Sequence, residues 1–323
     1  MSDGVELSLF GEYMTQLPPQ IAALSSLEEL SIQSAGLSTI DPLIFSRLPR
    51  LRTINFSINS LRALPDDMFS NLPSLTMLHL GTNSIKQVPP QISMLSSLIE
   101  LHLSSNRLKS VPEELSFLTS LKHLNLQQNR ITSLPEGFFS LTQLRKLFLY
   151  ENEIASLSHH VTRLSSLKLL SIFGNILSDL PPNIGDVPSL KKLWLYHNKL
   201  THIPRSLGRL RNLRRLSLAS NQISCLPHEL SHLSLLQYFD CTNNPLTSVP
   251  YNLIHLALTE FILPTTCFAS DPQHELSHNP HPNSLLGTPL FLSFSPLSLS
   301  LSLSLSLFLS LSLLYSKIFY LCI

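Results

Sequence analysis

Leucine and its apolar relatives recur along this chain in one fixed phase, with polar residues between them. A unit of 23 or 24 residues starts at Leu27 and restarts at Leu51, Leu75, Leu98, Leu121, Leu144, Leu167, Leu190, Leu213 and Leu236. In one unit the apolar positions are Leu121, Leu124, Leu126, Ile131, Leu134, Phe138 and Leu141, with Asn129 and Pro135 at set offsets. A weaker unit comes first, with Leu7, Leu9, Met14, Leu17 and Pro18 in phase. Alternation over Leu124-Asn125-Leu126 predicts a short strand whose leucines point inward and whose middle residue points out. After the proline, pairs such as Leu115 with Leu118, or Leu207 with Leu210, predict a 3-10 turn or a single helical turn. Proline suits the entry to that turn, because it fixes φ and has no N–H to leave unpaired.

No unit of this size can bury its apolar face alone. Stacking therefore makes the core, and the end units act as caps. An asparagine recurs at Asn59, Asn83, Asn106, Asn129, Asn152, Asn175, Asn198, Asn221 and Asn244, with Glu12 and Ala35 in its place in the first two units. Its amide can donate and accept, so it can satisfy main-chain groups where the chain turns out of the sheet.

The spacing L-x-x-L-x-L-x-x-N-x-L-x-x-L-P, over about residues 5–258, resembles that of leucine-rich-repeat proteins. The expected fold is an α/β solenoid, a leucine-rich-repeat horseshoe with a concave parallel sheet and short turns on the convex side. The repeat is similar to the intracellular, 23-residue class, including Ras-binding scaffolds, Ras-suppressor proteins and the plant Ras-group repeat proteins. That resemblance implies an adaptor in small-GTPase or phosphatase-linked signalling. The units at Leu27 and Leu51 have 24 residues and carry Phe45 and Phe69, which resembles the extracellular type. The expected organisation is a solenoid of about eleven units over 1–263, a Pro/Ser/His-rich linker over 264–289 and a Ser-Leu tail over 290–323. Leu258, Phe261 and Leu263 predict a last degenerate strand.

Function can be written in the outward strand positions, which the fold does not dictate. Between the paired leucines these are Ser31, Asn55, His79, His102, Asn125, Phe148, Ser171, Trp194, Ser217 and Asp240. Early units are small and polar here. The middle units carry Phe148, Tyr150, Phe173, Trp194 and Tyr196, and Tyr238 follows on a later strand. Beside them run Arg145, Lys146, Lys168, Lys191, Lys192, Arg214 and Arg215, with no acid at those two column positions from Arg145 to Arg215. One reading is a partner surface, with aromatic anchors and a cationic column that receives an acidic or phosphorylated protein. The other is structural, with large residues packing along the ladder and charges on a solvated face.

Composition narrows the classes. Charged residues make up 13% and formal net charge is +1, so nothing points to nucleic acid or to an anionic membrane surface. The N-terminus shows no secretory signal, and Cys225, Cys241, Cys267 and Cys322 form no metal-type pair. A cytoplasmic location is expected, with membrane association through the tail as the alternative. The sequon-like Asn55-Phe56-Ser57 then reads as chance.

The string His228-Glu229-Leu230-Ser231-His232 matches a zinc-protease signature, but Leu230 and Leu233 are core positions of a convex turn too short to hold it. The same string at His274–His278 sits among Pro272, Pro280 and Pro282, which disfavour a helix. No phosphate-binding loop, dinucleotide fingerprint or nucleophile elbow occurs. The expectation is a non-enzyme without cofactor or metal, which binds a protein on its concave face.

Serine and leucine alternate strictly near the C-terminus. Three readings stay open. Leu290 to Leu314 is uncharged and long enough to span a bilayer, although serines and Pro296 weaken an anchor. Period two also fits an amphipathic strand. A translated CT dinucleotide repeat would give the same alternation, and would leave open that the true C-terminal cap or a further domain is missing. Two further functions follow from these: a regulatory fragment of a larger enzyme, and a membrane-tethered recognition protein.

Overall fold

A computed structural model describes residues 5–11, 13–264 and 290–292. Twelve strands lie in parallel and in sequence order: β1 (Val5–Phe10), β2 (Leu27–Gln33), β3 (Thr53–Asn55), β4 (Met77–His79), β5 (Glu100–His102), β6 (His123–Asn125), β7 (Lys146–Phe148), β8 (Leu169–Ser171), β9 (Lys192–Trp194), β10 (Arg215–Ser217), β11 (Tyr238–Asp240) and β12 (Glu260–Leu263). A thirteenth, β13 (Leu290–Leu292), pairs antiparallel with β12. Each of β3 to β11 starts one residue before the L-x-L tripeptide and ends on its outward residue. The expected last strand is β12, with Leu258, Phe261 and Leu263 buried.

Register is set by the inward column. Ile54, Leu78, Leu101, Leu124, Leu147, Leu170, Leu193 and Leu216 lie opposite one another and are all but fully buried. A slip of one residue would turn that whole row to solvent.

Among the described residues, the other side consists of eleven short 3-10 turns. Most follow a proline held near φ −65°, such as Pro112, Pro135 and Pro204. Where that column lacks proline, a side chain caps the turn instead. The Asp41 carboxylate accepts from the Leu43 N–H at 3.0 Å, and the Ser158 hydroxyl accepts from the His160 N–H at 3.2 Å. Leu115, Leu118, Leu207 and Leu210 point into the core as expected, and so do Phe45 and Phe69 of the 24-residue units. The turn Arg205–Arg209 lies against the next, His228–His232, so closely that a Cβ on Gly208 would overlap the Glu229 carbonyl. Only glycine permits that backbone approach.

The asparagines join one unit to the next. The Asn152 amide donates to the carbonyls of Leu126 at 3.0 Å, Leu149 at 3.0 Å and Tyr150 at 3.4 Å, and its Oδ1 accepts from the Ile131 N–H at 3.0 Å. Asn106, Asn129, Asn175, Asn198, Asn221 and Asn244 repeat the pattern and are buried. Ala35 has no such amide, and its own N–H is taken by Asn59 Oδ1 at 3.1 Å. Glu12 lies outside the described residues.

One backbone feature is not apparent in the repeat pattern. The residue before each asparagine adopts the left-handed conformation, with φ between 52° and 59° at Ile58, Thr82, Ser105, Gln128, Glu151, His197, Ser220 and Asn243. Gly174 takes the same place at φ 62°. Each non-glycine there is strained by roughly 1–2 kcal/mol. The reversal sends its N–H to the next unit, as when the Glu151 N–H donates to the Phe173 carbonyl at 3.0 Å.

Among the described residues, no helix is long and apolar enough to cross a membrane. The alternating segment beyond residue 292 and the string His274–His278 lie outside them.

Candidate protein-binding face

The outward face of β7 to β11 carries the predicted aromatic residues, and three of them form a stack. Tyr150, Phe173 and Tyr196 hold the same position on successive units. Their rings lie parallel, at 4.3 Å and 10° for the first pair and 4.1 Å and 12° for the second. Sheet geometry explains this, because equivalent side chains on neighbouring strands stand one strand spacing apart. Trp194 and Tyr238 meet edge to face, with ring centres 5.6 Å apart. Phe148 lies at the equivalent position on β7, across from Ser171. Tyr150 is only 7% exposed, while Phe148, Phe173, Trp194, Tyr196 and Tyr238 are half-buried; all but Phe148 have another of these rings against them.

Burial raises the phenols. Tyr150 is pushed above its ordinary value by desolvation and then by the charge of Glu151. Tyr196 is held well above it by burial, with Tyr150 and Glu151 adding to the shift. Tyr238 is also held well above, by burial first and then by Asp240 and Glu260. These rings therefore present neutral O–H groups at physiological pH.

The basic column borders the stack along the same strands. Arg145, Lys146, Lys168, Lys191, Lys192, Arg214 and Arg215 are all exposed. In register, Lys192 lies beside Leu169 and Arg215, and Arg215 beside Tyr238. Among the described residues, none of the seven forms a salt bridge, whereas Arg52, Arg205 and Arg209 do. An apolar, partly covered centre thus sits beside exposed cations held in no salt bridge among the described residues.

A second cluster lies on β4 to β6, and sequence reasoning missed it. Glu100 stands among three imidazoles. His79 Nε2 and His102 Nε2 approach Glu100 Oε1 at 3.2 and 3.0 Å, and His123 Nδ1 approaches Oε2 at 3.2 Å. The rings of His79 and His102 stack at 4.4 Å and 11°. Burial pushes the Glu100 carboxyl up, but the His123 hydrogen bond and the charges of His102 and His79 hold it below its usual value. Burial and then His79 depress the His102 imidazole, against the pull of Glu100. A signal was present. His79 and His102 share one column, while Glu100 and His123 share the preceding one, and the strand register aligns both columns.

The other flagged residues have plain structural places. His228–His232 is a five-residue 3-10 turn with Leu230 in the core, and His228 pairs with Glu229 at 3.3 Å. Cys241 is buried at an inward position, and its Sγ donates to the Ile262 carbonyl at 3.6 Å.

The chain matches the family described as Leucine rich repeat over residues 25–85 and 75–131, Leucine-rich repeat region over 112–219, and Leucine Rich Repeat over 212–233. A leucine-rich-repeat protein of Leptospira interrogans is 31% identical, with 76% of this chain aligned to 74% of that one at a TM-score of 0.59. This protein belongs to the leucine-rich-repeat family. Solved leucine-rich-repeat structures of wide origin resemble it. The plant peptide hormone receptor RGFR1, seen in complex with RGF2, is 27% identical with a TM-score of 0.64; 72% of this chain aligns to 38% of the receptor. FLRT2, seen in an octameric complex with Latrophilin 3 and Unc5D, comes from a structure that is 26% identical with a TM-score of 0.65, aligning 76% of this chain to 77% of that one. No curated protein matches the chain. These bacterial, plant and receptor structures show the family and do not single out a subclass within it.

Proposed function

We propose that this protein is a binding module, not an enzyme, which holds a protein partner on the outer face of β7 to β11. One observation carries the reading. A half-buried aromatic stack, Tyr150–Phe173–Tyr196 with Trp194 and Tyr238, lies beside seven exposed cations that have no ion-pair partner among the described residues. Desolvated aromatic anchors rimmed by charge are the usual material of interface hot spots. The cations select an acidic or phosphorylated partner and steer its approach. Neutral phenol groups can donate hydrogen bonds to it as well. Leucine-rich-repeat relatives captured with a peptide hormone or with other proteins support the general role.

The finer reading is a cytoplasmic signalling scaffold whose partner is a small GTPase or a phosphatase subunit. It rests on the intracellular type of the 23-residue spacing alone. The test is affinity capture from native lysate with the full chain, beside a variant carrying Trp194→Ala and Tyr196→Ala, after circular dichroism shows both folded. A partner retained by the first and lost by the second supports the reading. Identical captured sets would make the stack structural.

A further inference from the structure

We propose that His79, His102 and Glu100 form a binding site for a divalent transition-metal ion of the zinc class on the outer face of β4 and β5. Their ligand atoms all lie within 4.8 Å of one another. Two imidazoles and one carboxylate suit a borderline ion, and this is a donor set of zinc sites that keep a position open. The site stands on regular strands, which fix ligands better than loops do. His79 and His102 hold equivalent positions on adjacent strands, and Glu100 lies two residues before His102 on the same face.

The distances are close to those required. Tetrahedral ligands at zinc bond lengths stand about 3.3 Å apart. The two histidine nitrogens already lie 3.2 and 3.0 Å from Glu100 Oε1. Only the two stacked rings, 4.4 Å apart at their centres, must tilt toward each other. His123 supplies support from behind: its Nδ1–H donates to Glu100 Oε2, which turns Oε1 toward the imidazoles. Metal-bound carboxylates commonly carry such an outer hydrogen bond.

A second observation points the same way. His79 Nε2 is buried, and although it approaches Oε1 at 3.2 Å it has no hydrogen-bond partner among the described residues. A buried nitrogen in that state calls for an explanation, and a bound ion supplies one. The cluster stands on the outward face of the sheet, where water or a side chain of another protein can complete the coordination.

The test uses the full chain, stripped with a chelator and titrated with Zn²⁺ against a chromogenic indicator. Co²⁺ absorbance serves as a second readout. The expected result is one ion bound at this site with micromolar or tighter affinity. His102→Ala and Glu100→Gln should each weaken it at least about tenfold, and His123→Ala should do so by about tenfold. His79→Gln and His102→Gln give the same reading if an alanine variant fails to fold, as judged by circular dichroism. Two controls, His228→Ala with His232→Ala and His274→Ala with His278→Ala, should leave this binding unchanged. Absence of binding by the wild type would overturn the proposal, as would binding that survives the cluster variants or disappears only in the controls.

Discussion

The two halves of the sheet face share one backbone and differ in almost everything that points away from it. From β3 to β6 the outward positions are Asn55, His79, His102 and Asn125, followed by Ser57, Gly81, Ser104 and Gln127. From β7 to β11 they become an aromatic stack bordered by cations. Beneath both halves run the same leucine rows, the same asparagine bonds and the same left-handed residue. The fold is thus held by the inward and turn columns, and the outward columns are free to differ. One half gathers imidazoles around a carboxylate, and the other gathers rings beside positive charge.

Changes in the shared columns should cost the most. Asn152→Ala strands the carbonyls of Leu126 and Leu149 and the N–H of Ile131, so denaturant unfolding should show a loss of about 3 kcal/mol. Gly208→Ala drives a methyl into the Glu229 carbonyl and should cost about 2 kcal/mol in the same assay. The outward columns should be cheaper and unequal. Phe173→Ala removes two ring stacks and should cost about 1–2 kcal/mol. Asn125→Ala, on the polar half, should cost less than about 1 kcal/mol. Equal losses at Phe173 and Asn125 would contradict the division drawn here.

Alkaline pH sharpens the comparison further. Tyr196 and Tyr238 titrate above their unfolded value of 10.0. The stability they contribute is fully present below pH 10 and is lost as pH rises through their folded values. Unfolding measured from pH 9 upward should show that loss, and Tyr196→Phe with Tyr238→Phe should flatten it. The smallest effect is a gain. Ile58→Gly relieves a branched residue at φ 59°, and after the offset from the freer unfolded glycine it should stabilise the protein by about 0.5 kcal/mol.

Most of the fold was legible because its determinants are periodic. The leucine rows, the prolines before the turns and the asparagine column each recur at a fixed offset, and the structure finds them where the repeat puts them. The left-handed residue was not legible, because its identity varies from Ile58 to Glu151 to Asn243. What recurs there is a backbone angle, which leaves no mark in composition. The aromatic positions were visible, and so was packing along the ladder as one of two readings, but not the ring orientations across strands that set how far each ring is buried. The Glu100 cluster was missed for a related reason. Its members come from two adjacent columns, and reading one column at a time separates His79 and His102 from Glu100 and His123.

The central claim is that partner recognition belongs to the β7 to β11 half of the face. Its most direct test is the affinity of the captured partner for three folded forms of the full chain. These are the wild type, a variant carrying Lys191→Glu and Arg214→Glu, and a variant carrying Asn55→Glu and Asn125→Glu on the other half. The account predicts at least a tenfold loss for the first variant, wild-type binding that weakens with salt, and little change for the second. Equal affinities for all three, or a loss confined to the second variant, would contradict it.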